Sequence, residues 1–195
     1  MGRGRKLVHG VGINDADYVL TENLNGKQIN TCPFYRAWRS MLHRCYNGSY
    51  QKLYPSYKDA SVCEEWLIFS NFKKWMEEQD WKDKQLDKDL LFDGNKTYSP
   101  ATCIFITAKV NSFILENTRS QGVYKLGVHL NKRNKFISQI SNPFTNKREY
   151  LGSFTDELSA HLAWKKRKHE LACQLAESEY CNDPRLAEAL RTRYL

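Results

Sequence analysis

The sequence of 195 residues has no long hydrophobic run. No stretch approaches the roughly eighteen consecutive apolar residues that mark a transmembrane helix. The opening segment, "MGRGRKLVHG", also has no apolar region behind its charges, so the sequence predicts no signal peptide. We therefore expect a soluble, cytoplasmic protein that has no membrane partner.

Close cysteine pairs are also missing. None of the six cysteines forms a CxxC pair, and in an intracellular chain we expect most of them to be reduced and buried. A zinc site could be assembled from four potential ligands, Cys32, His43, Cys45 and Cys63. Structural zinc usually takes its ligands from two tight pairs, so this sequence does not favour a structural zinc ion.

Acidic residues are too few to balance the basic ones. The chain has 30 Lys and Arg against 22 Asp and Glu, for a net charge of +8 and a pI near 9.1. Residues 1–118 are almost balanced, with 16 basic and 14 acidic residues, whereas residues 119–169 hold 11 basic and 3 acidic. A basic excess concentrated in one region makes a polyanion the first partner to consider.

The first half carries helical patterns. Apolar residues recur at helical spacing in "CPFYRAWRSMLHRCYNG", which predicts a helix that starts near Pro33 and stops at Asn47. "CEEWLIFSNFKKWMEEQD" predicts a second helix, and residues 48–62 between them read as a loop. A short strand around 86–91 and a strand passing into a helix over 104–116 follow. Residues 1–31 are weakly patterned and are interpreted as an N-terminal arm.

The second half changes to β-rich patterns. "GVHLN", "KFISQIS" and "REYLGSF" are short runs separated by polar turns, which predict an antiparallel meander of three strands. Thr155 is the expected cap of the long helix that follows, and Asp183-Pro184 is expected to start a last short helix.

This second half resembles the AP2 (plant ERF-type) DNA-binding domain. The likeness covers about fifty residues and rests on the "GV" opening strand, the "KFISQIS" second strand, "YLGSF" and an alanine-containing helix. It implies a three-stranded sheet that reads the major groove of double-stranded DNA while its other face packs on the helix. The family contacts fall on His129, Asn131, Arg133, Lys135, Gln139, Ser141, Arg148 and Tyr150, and Lys165 and Arg167 of the helix could reach phosphates.

The first half resembles phage-type HNH (His-Me finger) nucleases. The matching motifs are "CPFYRAWRSMLHRCY", "VCEEWLIFSNF" and "LDKDLLFDGNKTYSPATCIFITAKVNSF", which cover residues 31–113. The resemblance implies a β-hairpin and helix that hold a divalent ion, Mg²⁺ or Mn²⁺, beside a phosphodiester. Asp87 matches the metal ligand of the strand and Asn111 that of the helix.

Two positions depart from the HNH pattern. Lys88 stands where the family has its histidine base, and Thr102 stands where it has a bracing asparagine. An unperturbed lysine has a pKa of about 10.4, so Lys88 needs a strongly altered environment to act as a base. Asp89 is an alternative base or second ligand, and His43 could enter from the first helix.

Together the patterns predict an α+β chain. Its expected parts are an arm (1–31), an HNH-like domain (32–117), an AP2-like domain (118–180) and a C-terminal helix (181–195). The predicted function is a homing-like, metal-dependent DNA endonuclease. One alternative is a DNA-binding regulator or host-takeover protein with a degenerate HNH scaffold. Another is an RNA-binding protein stabilised by a structural zinc ion. A monomer would suit an asymmetric target site, and the sequence does not indicate which proteins, if any, are partners.

Overall fold

The computed structural model describes residues 6–25, 27–115 and 123–195, and it has an α+β fold. The chain divides into two compact units, one up to Phe105 and one from Ile106 onward. The predicted boundary near 117–123 falls mostly on residues outside those described, so it stays a prediction. No helix in the described ranges has the length and the apolar character that crossing a bilayer requires.

The first unit packs three α-helices against short strand pairs. Its elements are β1 (Thr21–Leu24), β2 (Lys27–Thr31), α1 (Pro33–Tyr46), α2 (Gly48–Leu53), β3 (Ser61–Val62), α3 (Phe69–Glu77), β4 (Lys84–Asp87) and β5 (Thr97–Tyr98). β1 and β2 form an antiparallel hairpin, and β3 and β5 pair in parallel. β4 shares a two-stranded sheet with β6 (Ile104–Thr107), the strand within which the two units divide.

Aromatic residues fill the core of this unit. The predicted apolar face of α1 is confirmed, because Trp38, Met41, Leu42 and Cys45 are all buried. The indole of Trp38 donates a hydrogen bond of 2.7 Å to the carbonyl of Trp66, so its polar atom is satisfied inside the core. Other members of the core are Trp66, Phe69, Phe72, Met76, Tyr98 and Phe105.

Three local predictions in this unit were wrong. Residues 48–62 are not a loop, because Asn47 ends α1 and its side chain also accepts from the amide of Tyr50 to begin α2. The second predicted helix is shorter, since Glu64–Leu67 form a separate 3₁₀ turn before α3. The predicted, weakly patterned N-terminal arm contains the β1–β2 hairpin, and its Val8 and Val11 pack against the core.

The second unit consists of α4 (Ala108–Ile114), β7 (Val128–Leu130), β8 (Phe136–Ser141), β9 (Arg148–Phe154), α5 (Glu157–Ala176) and α6 (Pro184–Thr192). The predicted meander is confirmed, because the three strands form an antiparallel sheet in the order β7-β8-β9, and α5 packs on all three. The cap of α5 is Asp156 rather than Thr155, since the Asp156 carboxylate accepts from the amide of Ser159. Asp183 caps α6 as predicted.

Candidate functional site

The strand register places several predicted DNA contacts on one face of the sheet. Gln139 lies opposite Tyr150, and Ser141 lies opposite Arg148. Cross-strand partners share a face, and side chains two residues apart on a strand do as well. His129 joins them, because its partner Ile137 is two residues from Gln139.

A β-bulge keeps this face continuous. The register shifts between Ser138 and Gln139, so that Ser138 lies opposite Gly152 but Gln139 lies opposite Tyr150. The extra residue of the bulge is Leu151 on β9. Without it, Arg148 and Tyr150 would point to the face that carries Ile140. Ile140 is buried, whereas Arg148 is exposed and Tyr150 is 63% exposed. Ile137, on the side of Gln139, is buried as well, so the exposed polar part of this face runs from Gln139 to Ser141 and their partners on β9.

The turn between β7 and β8 depends on Asn131. Its side-chain carbonyl oxygen accepts hydrogen bonds of 2.9 and 3.0 Å from the amides of Arg133 and Lys135. Asn134, in the same turn, has the positive φ of 55° that asparagine tolerates. Asn131 therefore holds the turn that positions the exposed side chains of Arg133 and Lys135.

The predicted phosphate contacts on α5 are already engaged. Arg167 donates to Glu149 at 2.7 Å and to Glu170 at 2.9 Å, and these bonds hold the pKa of Glu149 below its usual value. The ammonium of Lys165 donates to the carbonyl of Leu195 at 2.8 Å. These contacts compete with phosphate binding, so we place the main contact surface on the sheet rather than on α5.

In the first unit, Asp87 ends β4 and holds the loop that follows. Its Oδ1 atom accepts from the amides of Asp89, at 3.1 Å, and Leu90, at 2.8 Å. Its Oδ2 atom accepts no hydrogen bond from the described residues. Burial, together with the nearby charge of Asp89, raises the pKa of Asp87. A bound cation would relieve both effects, and carboxylate oxygens are the ligands that Mg²⁺ prefers, so Asp87 fits the predicted role.

Lys88 is buried in the same loop, with 5% of its surface exposed. Its ammonium donates to Oδ2 of Asp89 at 2.9 Å and to the carbonyl of Asn95 at 3.1 Å, and lies 5.9 Å from the ring centre of Tyr98. Both acceptors belong to the same loop, so the ammonium is engaged in holding the loop together. The geometry therefore suits a structural or charge-stabilising role for Lys88 better than the predicted role of general base.

Asn95 braces this loop, and the sequence analysis missed it. Its Nδ2 donates to the carbonyls of Lys88, at 2.6 Å, and Thr97, at 2.8 Å, while its Oδ1 accepts from the amide of Thr97. The bracing was expected at the position of Thr102, whose hydroxyl donates to the Thr97 carbonyl at 2.7 Å. The sequence contained a signal in the Asp93-Gly94-Asn95 turn, where an asparagine that bonds its own backbone is common.

We expect the substitution Asn95→Ala to lower the free energy of unfolding by about 2–3 kcal/mol, because it removes the side-chain donor to the carbonyl of the buried Lys88 and the acceptor of the Thr97 amide. Urea unfolding followed by tryptophan fluorescence measures the change. Asp93→Ala is the control, since Asp93 is exposed in the same loop. Equal stability of the two variants would show that Asn95 does not brace the loop.

The remaining predicted site residues, His43 and Asn111, belong to different units. The ring of His43 packs against His9 and Tyr50, with centroid distances of 5.1 and 4.8 Å. Asn111 lies in α4, which belongs to the second unit, so its sharing of an ion with Asp87 stays a prediction. Among the described residues, no three His, Cys, Asp or Glu side chains come together as a metal-binding group.

Two thiols of the first unit, those of Cys45 and Cys103, are buried. Burial raises the pKa of Cys45 to about 11 and that of Cys103 to about 12, so both are protonated near neutral pH.

Comparison of the chain with family models, curated proteins and solved structures found no match. The molecule is thus defined by its own features: an α+β chain with a two-faced antiparallel sheet and a braced acidic loop.

Proposed function

We propose that the protein is a DNA-binding, metal-dependent endonuclease, with an HNH-like first part and an AP2-like reader of double-stranded DNA in its second part. The observation that carries the proposal is the polar face of the β7-β8-β9 sheet. There Arg148 and Tyr150 stand in register with Ser141 and Gln139, and the basic turn that Asn131 holds lies at the opposite end of β8. A twisted antiparallel sheet with one polar, basic face can enter the major groove.

The cleavage part of the proposal is supported by the Asp87 loop. A divalent ion would supply a Lewis acid and an activated water at the phosphodiester. Asp87 would hold it through its carboxylate, with Asn111 and Asp89 as further candidate ligands. The ammonium of Lys88 would contribute positive charge near the phosphate, while Asn95 keeps the loop rigid.

A second candidate function is a DNA-binding regulator that does not cut. Lys88, in place of the family's histidine, is tied to Asp89 and Asn95, and this observation favours a loop kept only as scaffold. Both functions require duplex binding by the sheet. They differ in a single result, the metal-dependent breakage of a DNA strand.

Removing one sheet cation should weaken duplex binding measurably. We expect Arg148→Ala to reduce the affinity for a mixed-sequence duplex about 5–10-fold, and the slope of log K against log salt to fall by about 0.9, which corresponds to one lost phosphate contact. Fluorescence anisotropy at several salt concentrations gives both numbers.

The matched control for this measurement is Arg191→Ala, which removes an exposed arginine from α6 instead of from the sheet. We expect this control to retain the wild-type affinity within twofold. Equal losses in the two variants would mean that net charge, and not the sheet face, governs binding, which would contradict the proposal.

A further inference from the structure

The exposed side of α1 carries positive charge that nothing described so far uses. The helix contains three arginines and one histidine but no acidic residue. We call the surface formed by Arg36, Arg39, Ser40, His43 and Arg44 the α1 ridge. In the described part of the chain, none of its arginines forms an ion pair.

Two cavities flank the α1 ridge within the first unit, and both are lined by Arg36 and Ser40. The larger, of about 510 Å³, is also lined by Arg44 and Lys84. The smaller, of about 300 Å³, is also lined by Arg39 and the imidazoles of His9 and His43. Asp83 is the single acidic residue among the lining residues of the two cavities.

Arg44 lines the larger cavity, but most of its guanidinium lies inside the protein. Its Nε atom is buried and makes no hydrogen bond among the described residues. The guanidinium lies 5.2 Å from the ring centre of Tyr98 and 5.8 Å from that of Tyr57, so it packs on aromatic rings instead of on a carboxylate. The guanidinium is thus held mainly by the protein interior, and Arg44 contributes positive charge behind the cavity wall rather than an exposed donor.

The electrostatics of the smaller cavity agree with this. Burial, followed by the neighbouring charges of His43 and Arg39, lowers the pKa of His9. The direction of this shift indicates a positive potential beside His9, to which Arg39 contributes, and a bound anion would offset it.

The walls of the larger cavity are apolar as well as basic. Trp81, Met76, Leu86 and Phe105 line it beside the arginines. The indole of Trp81 meets Phe34 edge to face, with a centroid distance of 5.1 Å. Basic grooves lined by aromatic rings bind unpaired nucleotides, because cations follow the phosphates and bases stack on the rings. Duplex DNA offers only its backbone and groove edges to such a cavity.

We propose that the α1 ridge and its two flanking cavities bind a segment of single-stranded DNA, with phosphates on the exposed Arg36 and Arg39 and one base in the cavity lined by Trp81. From Arg36 to Arg39 the helix rises about 4.5 Å, and their long side chains can reach two neighbouring phosphates of one strand. The site differs from the sheet face, and its occupation requires no strand cleavage.

The test uses the full chain and a labelled oligonucleotide of twelve thymidines. We expect Arg36→Ala/Arg39→Ala to weaken its binding at least tenfold and to reduce the salt slope by about 1.4, as for two phosphates of a single strand. The control is Lys52→Ala/Lys58→Ala, which removes two exposed charges from the same unit away from α1 and should change affinity less than twofold.

Two further comparisons separate this site from general attraction to DNA. We expect Trp81→Leu to weaken binding of the thymidine oligomer about fivefold or more while leaving an abasic oligomer of equal length unaffected, because only the base contact is lost. A duplex of the same length should lose less than threefold affinity in the arginine double variant. Equal losses for duplex and single strand, or no loss for the thymidine oligomer, would overturn the proposal. Plasmid cleavage is scored separately, so failure of the nuclease proposal would not affect this result.

Discussion

Asp87→Asn should lower the rate of metal-dependent plasmid nicking by at least about 100-fold, while duplex affinity stays within twofold of the wild type. Asparagine keeps an oxygen at the Oδ1 position, so it can still accept from the amides of Asp89 and Leu90 and hold the loop. It loses the negative charge with which a carboxylate binds a divalent cation, and metal stabilisation is worth several kcal/mol in the transition state. The initial rate of nicking with Mg²⁺ or Mn²⁺ measures the effect.

The control for this experiment is Asp93→Asn, which removes an exposed carboxylate from the same loop and should leave the nicking rate unchanged. Asp87→Ala is a useful third variant, because it also removes the hydrogen bonds to the loop. It should be less stable than Asp87→Asn but equally inactive. Nicking by the Asp87→Asn variant at the wild-type rate would show that Asp87 is not a ligand of the metal.

The second large effect concerns the contact between the sheet and α5. We expect Gly127→Ala to lower the unfolding free energy of the second unit by at least about 3 kcal/mol. A Cβ atom there would lie 1.9 Å from Cδ1 of Trp164, and the backbone φ of +76° is itself unfavourable for residues with a side chain. Trp164 has little room to retreat, since it is buried and stacks on His161, whose ring bonds the carbonyl of Leu126.

Gly94→Ala separates the cost of the positive φ from the cost of the clash with Trp164. Its φ of +74° matches that of Gly127, but a Cβ atom there would meet nothing within 4 Å, so only the backbone cost of about 1–2 kcal/mol applies. Urea unfolding followed by circular dichroism and by duplex binding gives both values. If Gly127→Ala costs no more than Gly94→Ala, Trp164 does not pack tightly under the sheet.

Those parts of the fold that depend on periodicity could be predicted from the sequence. The spacing of Trp38, Met41 and Cys45 gave the buried face of α1, and alternation in "KFISQIS" gave the central strand of the sheet. Each signal arises from residues that share one environment along a regular element, so no long-range information is needed.

The features that were missed depend on single hydrogen bonds between side chains and backbone. Thr155 and Asp156 are both good helix caps, and local preference does not choose between neighbours; the structure selects Asp156. Asn95 bonds the carbonyl of Lys88, seven residues earlier, a partner that depends on the path of the loop. The partners of Arg167 and Lys88 could not be predicted either, because ion pairs depend on tertiary contacts that charge counts do not contain.

The α1 ridge shows a different limit of the sequence analysis. Its arginines were visible, but the helix was judged by its apolar face, and the basic excess of residues 119–169 directed attention to the second half. Only the structure shows that Arg36 and Ser40 lie between two cavities and that Nε of Arg44 is buried without a partner. Net charge over a long window does not reveal a local surface from which acidic residues are missing.

The most direct test of the proposed activity is incubation of the purified chain with supercoiled plasmid, with Mg²⁺ or Mn²⁺ and, in parallel, with excess EDTA. The account predicts conversion to open-circular or linear DNA that requires the metal. Plasmid that remains supercoiled with either metal, under conditions where anisotropy shows the chain bound to duplex, would contradict the assignment of endonuclease activity and leave the DNA-binding regulator.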